Sequence, residues 1–146
     1  MTPTLLGRWQ TRLLLFVVIA LPITALFSLW LDLIELERFW DPFVFIAAMT
    51  AIGLLLDPLY MQIQRFRWDN DWPFAFQFFF TVLEFLITLG VMSAGLLDFA
   101  LVEQIEPWTA AGHFTLIFIP SFLALLAGVQ VFLIHWRFKG GELGRL

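Results

Sequence analysis

The chain has 146 residues, enough for one domain, with no cysteine and a formal net charge of −4. Hydrophobic residues make up 61%, charged residues 14%, and mean hydropathy is +0.89, whereas soluble domains carry about 45–50% apolar and about 25% charged residues. This excludes a soluble globule, and the missing cysteines exclude disulfides, thiolate catalysis and thiolate-bound metal.

The charges cluster between long apolar runs, so the net charge is no sign of nucleic acid; the lipid bilayer is the expected partner. Met1 to Arg12 is a short polar start, and residues 13–31 form an apolar run long enough to cross a membrane. No small-residue cleavage site precedes Asp32, so the run reads as a span and not as a signal peptide. Pro22 lies inside it and should free the Val18 carbonyl and bend the helix.

An acidic loop follows. Asp41-Pro42 then opens a second span over residues 42–61, with Asp as N-cap and Pro in the first helical position. Ala47 and Ala51 form a small-residue stripe suited to close helix packing. Asp57-Pro58 should kink this helix and let it continue through Tyr60, Ile63 and Phe66.

Residues 64–73 are the most polar stretch between spans. Arg65 and Arg67 should neutralise Asp69 and Asp71, Asp71 should cap the next helix, and Trp68 and Trp72 should sit at headgroup level. Asp69-Asn70-Asp71 begins like a calcium loop but lacks the downstream Gly and Glu, so no metal is expected. Arg and Trp here could also anchor a cytoplasmic partner.

The third span, residues 73–96, carries Gln77, Thr81, Glu84 and Thr88 on one helical face. A carboxylate near the middle of a membrane helix is costly and marks a functional candidate. Thr24 and Thr50 fall near the depth of Glu84, which suggests a midplane cluster in which a protonated Glu84 donates to one of them. No Lys or Arg lies inside the spans as drawn, so Glu84 is expected to lack a cationic partner. After a second acidic loop, Thr109 reads as the N-cap of a fourth span over residues 110–136. Ser121, Ala124 and Gly128 form its small face, and Pro120 should bend it.

Arg8, Arg12, Arg65, Arg67, Arg137, Lys139 and Arg145 fall on one side of this scheme and Arg38 on the other. By the positive-inside rule both termini and the central loop are cytoplasmic, and the tryptophans near the span ends fit aromatic belts. The expected fold is all-α: four transmembrane helices in a bundle with short loops, in a bacterial-type inner membrane or an equivalent. His113 and His135 read as interfacial residues, and haem or chlorophyll ligation by either is the weakest reading. No catalytic motif or cofactor site is evident, so no enzyme is expected. The favoured function is a non-catalytic subunit of a homo-oligomer or larger membrane complex. The alternative is a small oligomeric proton-coupled transporter or channel using Glu84.

Overall fold

A computed structural model describes residues 4–33, 39–66, 68, 72–101 and 105–128. Those residues form helices and turns with no strand, and four helices are long and apolar enough to cross a membrane. Helix α1 is Leu5–Leu33, α2 is Asp41–Phe66, α3 is Phe74–Ser93, and α4 starts as Pro107–Leu123 and ends in a π-helical turn, Ala124–Gly128. Neighbours in sequence pack together, and α4 returns against α1.

Helix α1 begins two turns before the apolar run. Thr4 caps it, its side-chain oxygen accepting from Gly7 N at 3.1 Å. The early start takes Arg8 and Arg12 into the helix. At Phe16–Ala20 α1 widens into a π-helical turn, and Leu21 N–H donates to Phe16 O, five residues back. Pro22 accounts for this locally: it has no N–H for Val18, and its ring crowds that carbonyl.

Helix α2 opens at Asp41-Pro42, both buried, and runs through Asp57-Pro58 without stopping. At the start of α3 the N-cap position is held by Pro73, in extended backbone with φ −63° and ψ 148°; Asp71, expected to cap, lies outside the described residues. The end of α3 is a Schellman turn: Leu96 N bonds Val91 O, Gly95 N bonds Met92 O, and Gly95 has φ 73°. A side chain at Gly95 would be strained by that φ and would also press on Asp98, whose Oδ2 would lie 2.9 Å from the added Cβ. Helix α4 starts earlier than its sequence suggests. Glu106 takes the N-cap position and Pro107 the first turn, so Thr109 is inside the helix.

The apolar core lies where the four helices meet the turn after α3. Ala20, Phe45, Ile46, Phe85, Met92, Leu101, Ile105 and Ala110 are its buried residues. Phe85 stacks on Phe114 at 4.4 Å between ring centroids, and Phe114, Phe118 and Phe122 continue as a stacked ladder along α4. This one-turn spacing exposes successive rings on one helical face.

Candidate functional site

The start of α1, the end of α2 and the start of α3 meet at one end of the molecule, where Arg8 of α1 touches both Gln64 and Trp72. From that end Arg12 lies about 10 Å along its helix, and Asp57 and Glu84 lie about 14–15 Å along theirs, at ~1.5 Å rise per residue. The three therefore share a level, and the structure joins them.

Arg12 sits between the two carboxylates. Its Nη1 donates to Glu84 Oε2 at 2.7 Å and its Nη2 to Glu84 Oε1 at 3.0 Å. Its Nη2 also donates to Asp57 Oδ1 at 3.0 Å, and its Nε to Asp57 Oδ2 at 3.3 Å. Both forks of the planar guanidinium are thus used, which a lysine could not reproduce. Both carboxylate side chains are almost fully enclosed, with 1% exposure for Asp57 and 2% for Glu84. Removing such ions from water costs several kcal/mol each, and the bidentate geometry offsets it.

Glu84 therefore has a cationic partner, contrary to the expectation from the spans as drawn. Its carboxylate accepts from Arg12 instead of donating to Thr24 or Thr50. Gly53, one helical turn before Asp57, makes room for this contact. A Cβ there would collide with the Arg12 guanidinium and lie 2.9 Å from Glu84 Oε2.

Arg8 is one turn before Arg12, on the same face. Its Nη2 donates to Gln64 Oε1 at 2.9 Å, and its guanidinium lies 4.0 Å from the centre of the Trp72 ring. Its Nε is buried without a hydrogen-bond partner. Trp72 is turned inward, 8% exposed, stacking on Phe80 and donating its Nε1–H to Gln77 Oε1 at 3.2 Å; Trp68 is 93% exposed.

A cavity of about 410 Å³ lies among the helices. Arg8, Arg12, Asp57, Tyr60, Gln77, Thr81 and Glu84 form its polar wall, and Thr50 and Ser121 also face it. The rest is apolar, with Phe16, Phe45 and the Phe114–Phe118–Phe122 ladder prominent. Next to Glu84, the Tyr60 hydroxyl is buried with no hydrogen bond of good geometry.

The other sequence candidates fall elsewhere. Thr24 is fully buried and its Oγ1 lies 2.9 Å from His113 Nε2, the imidazole tautomer setting which one donates. His113 is thus a core residue at 1% exposure, stacked on Phe27 at 4.6 Å, and not an interfacial one. Thr81 and Thr88 donate to the carbonyls of Gln77 and Glu84 in their own helix, each at 2.7 Å. Ala47 and Ala51 are exposed on the outside of α2, Ala124 is half-buried, and Gly128 closes the π-helical turn of α4. Arg65 is exposed at the end of α2. Arg67, Asp69, Asp71 and His135 lie outside the described residues. Among the described residues no group of His, Asp and Glu is arranged to hold a metal ion.

Arg12, Asp57, Gly53, Arg8 and Tyr60 were missed as a site. One signal was present: Arg8 and Arg12 are four apart, as are Gly53 and Asp57, so each pair shares a helical face. No family model, no curated protein and no solved structure matches this chain.

Proposed function

We propose that the chain is a small integral membrane transport protein that moves a solute together with a proton. Asp57 and Glu84 are the proton-accepting pair and Arg12 is their shared counter-ion. The observation that carries this reading is one guanidinium divided between two carboxylates from two helices, on the wall of a cavity. Ionisable groups at membrane depth are expensive to keep and tend to mark ion and proton pathways. Counted with Arg8, one turn away on α1, the polar wall carries two cations and two carboxylates. A proton on either carboxylate takes an acceptor away from Arg12, which loosens α1 from α2 or α3.

In this reading the helices form a four-span bundle with both termini in the cytoplasm, by the positive-inside rule. The cluster then lies in the cytoplasmic half of a bacterial-type inner membrane or its equivalent. The test is proton uptake by proteoliposomes holding a pH dye, driven by an inward proton gradient with anionic and uncharged solutes supplied in turn outside. Wild type should acidify the lumen, and Asp57→Asn and Glu84→Gln should not. Wild type that acidifies the lumen no more than these variants overturns the reading.

A second reading, a non-catalytic subunit of a homo-oligomer or larger membrane complex, rests on a separate observation. Ala47 and Ala51 lie exposed on the outer face of α2, beside exposed Leu55. Small residues on an outer face allow another helix to approach closely. Native mass spectrometry in mild detergent should then show a multimer that Ala47→Leu weakens, and a monomeric wild type excludes a homo-oligomer.

A further inference from the structure

The cavity has two unlike walls. One is polar and holds two cations, and the other carries the stacked phenylalanines of α4, which run past the levels of Gln77 and Glu84 through contacts with Phe78 and Phe85. The cations are not equivalent. Arg12 has committed its nitrogens to Asp57 and Glu84. Arg8 is not paired with a carboxylate among the described residues; it is only 9% exposed, and its Nε has no acceptor. A guanidinium so deeply buried and so incompletely satisfied is a costly arrangement that an anion would relieve. Tyr60, only 3% exposed, places its hydroxyl on the same wall beside Glu84.

We propose that the cavity takes an anionic amphiphile with a single apolar chain, its head on Arg8 and Tyr60 and its chain along Phe114, Phe118 and Phe122. As the identity of a transported solute this rests on the transport reading, while the binding it describes can be measured without transport. The volume, about 410 Å³, lies in the range of about 300–1,000 Å³ that holds compact ligands. Charge supports the assignment. Arg8 and Arg12 balance Asp57 and Glu84, so the empty site is neutral when all four are ionised. An anionic head makes it negative by one, and one proton on the Asp57–Glu84 pair restores neutrality. Entry of the anion and uptake of the proton then favour each other, which is the linkage a symporter needs.

The experiment uses the full chain in vesicles of neutral lipid and a photoreactive alkyl sulfonate with its diazirine near the chain end. The sulfonate stays ionised, so any proton taken up belongs to the protein. Labelling should map to the Phe114–Phe122 segment of α4. Dodecyl sulfonate should compete, and dodecanol and dodecyltrimethylammonium should not. Arg8→Gln should weaken competition about tenfold to a hundredfold, the range for a lost charge-assisted hydrogen bond, and Arg8→Lys should recover part of it. Phe118→Trp, which keeps the head site and fills the chain site, should abolish the labelling and guards against a folding defect in the arginine variants. Binding in weak buffer should take up about one proton, by the charge count above.

Equal competition by the alcohol, labelling unaffected by Arg8→Gln, or equal competition by a two-chain anionic lipid would overturn the assignment. The two proposals fail separately. Specific labelling without proton flux refutes transport alone. Flux that requires Glu84 without specific labelling refutes the amphiphile alone.

Discussion

Gly53→Ala isolates the close approach on which the ion cluster depends. In an ordinary helix interior this change stabilises, by about 1 kcal/mol in intrinsic propensity. At Gly53 the added methyl would occupy the place of the Arg12 guanidinium and crowd Glu84 Oε2. The guanidinium cannot turn aside without giving up its bonds to Glu84, because the other half of the fork is tied to Asp57. Losing both Glu84 bonds at about 1.5–3 kcal/mol each for charged partners, less the propensity gain, leaves a net cost of about 2–5 kcal/mol. The assay is reversible unfolding in mixed detergent micelles, with two controls. Gly90 and Gly112 are exposed, and a Cβ at either meets nothing within 4 Å; their alanine variants should be neutral or more stable. A double-mutant cycle with Arg12→Ala completes the test. Without the guanidinium, Gly53→Ala should lose most of its cost. A Gly53→Ala protein as stable as Gly90→Ala would refute the reasoning, since it would mean the cluster has room to spare.

Four further outcomes follow from the same contacts. Arg12→Gln leaves two buried carboxylates without their cation and should cost about 3–5 kcal/mol, and Arg12→Lys should recover only part of it because an ammonium is a point charge; full recovery by Lys in the same unfolding assay would count against the bidentate geometry. Thr24→Val strands His113 Nε2 and should cost about 1–3 kcal/mol, while adding His113→Leu should restore much of the loss, because replacing both partners by apolar groups is nearly neutral; thermal unfolding of the single and double variants decides it. Pro22→Ala returns an N–H to the Val18 carbonyl and should slow amide hydrogen exchange over residues 16–22, and unchanged exchange would mean the π-helical turn has another cause. Cysteines placed at Asn70 and at Gln104 should label from opposite sides of sealed vesicles, Asn70 from the cytoplasmic side; labelling of both from one side would exclude the four-span topology.

The apolar runs made the four helices legible, because a chain this hydrophobic can satisfy its backbone in lipid only as helices or a closed barrel. The spacing of Gln77, Thr81 and Glu84 also showed one polar face on α3, and all three line the cavity. What could not be read was their counter-ion. Hydropathy starts a span where polar residues stop, which left Arg8 and Arg12 outside the first helix. In the fold their charges are tolerated there because partners on α2 and α3 receive them. Asp57 was hidden in a similar way: beside Pro58 it reads as punctuation, whereas in the fold it is a buried acceptor in mid-helix. His113 was misplaced because Thr109 looked like a cap. Starting α4 at Pro107 puts His113 further from the helix end, facing Thr24. Each of these errors concerns a polar group whose partner lies on another helix, information that periodicity along one helix does not contain.

Helix α1 is the element through which protonation would reach the rest of the fold. It carries both cations of the cavity wall, and its own backbone ladder is interrupted at the π-helical turn just beyond Arg12. On its far side α1 is held by Thr24 against His113, a bond without net charge that is insensitive to what happens at Asp57 and Glu84. The helix is therefore pinned beyond the turn by a neutral contact and held before it by the contacts of its two arginines, Arg12 with Asp57 and Glu84 and Arg8 with Gln64 and Trp72. Under the proposed transport function, a proton on one carboxylate takes an acceptor from Arg12, and Leu5–Leu15 would swing while Leu21–Leu33 stays in place. A hinge needs a few positions that absorb a change in backbone angles between two firmly packed bodies. Phe16–Ala20, widened by Pro22 and lying between an ionic and a neutral anchor, meets that requirement. Slowed exchange at this turn in Pro22→Ala together with reduced proton uptake would tie the hinge to the coupling, and slowed exchange with full uptake would separate them.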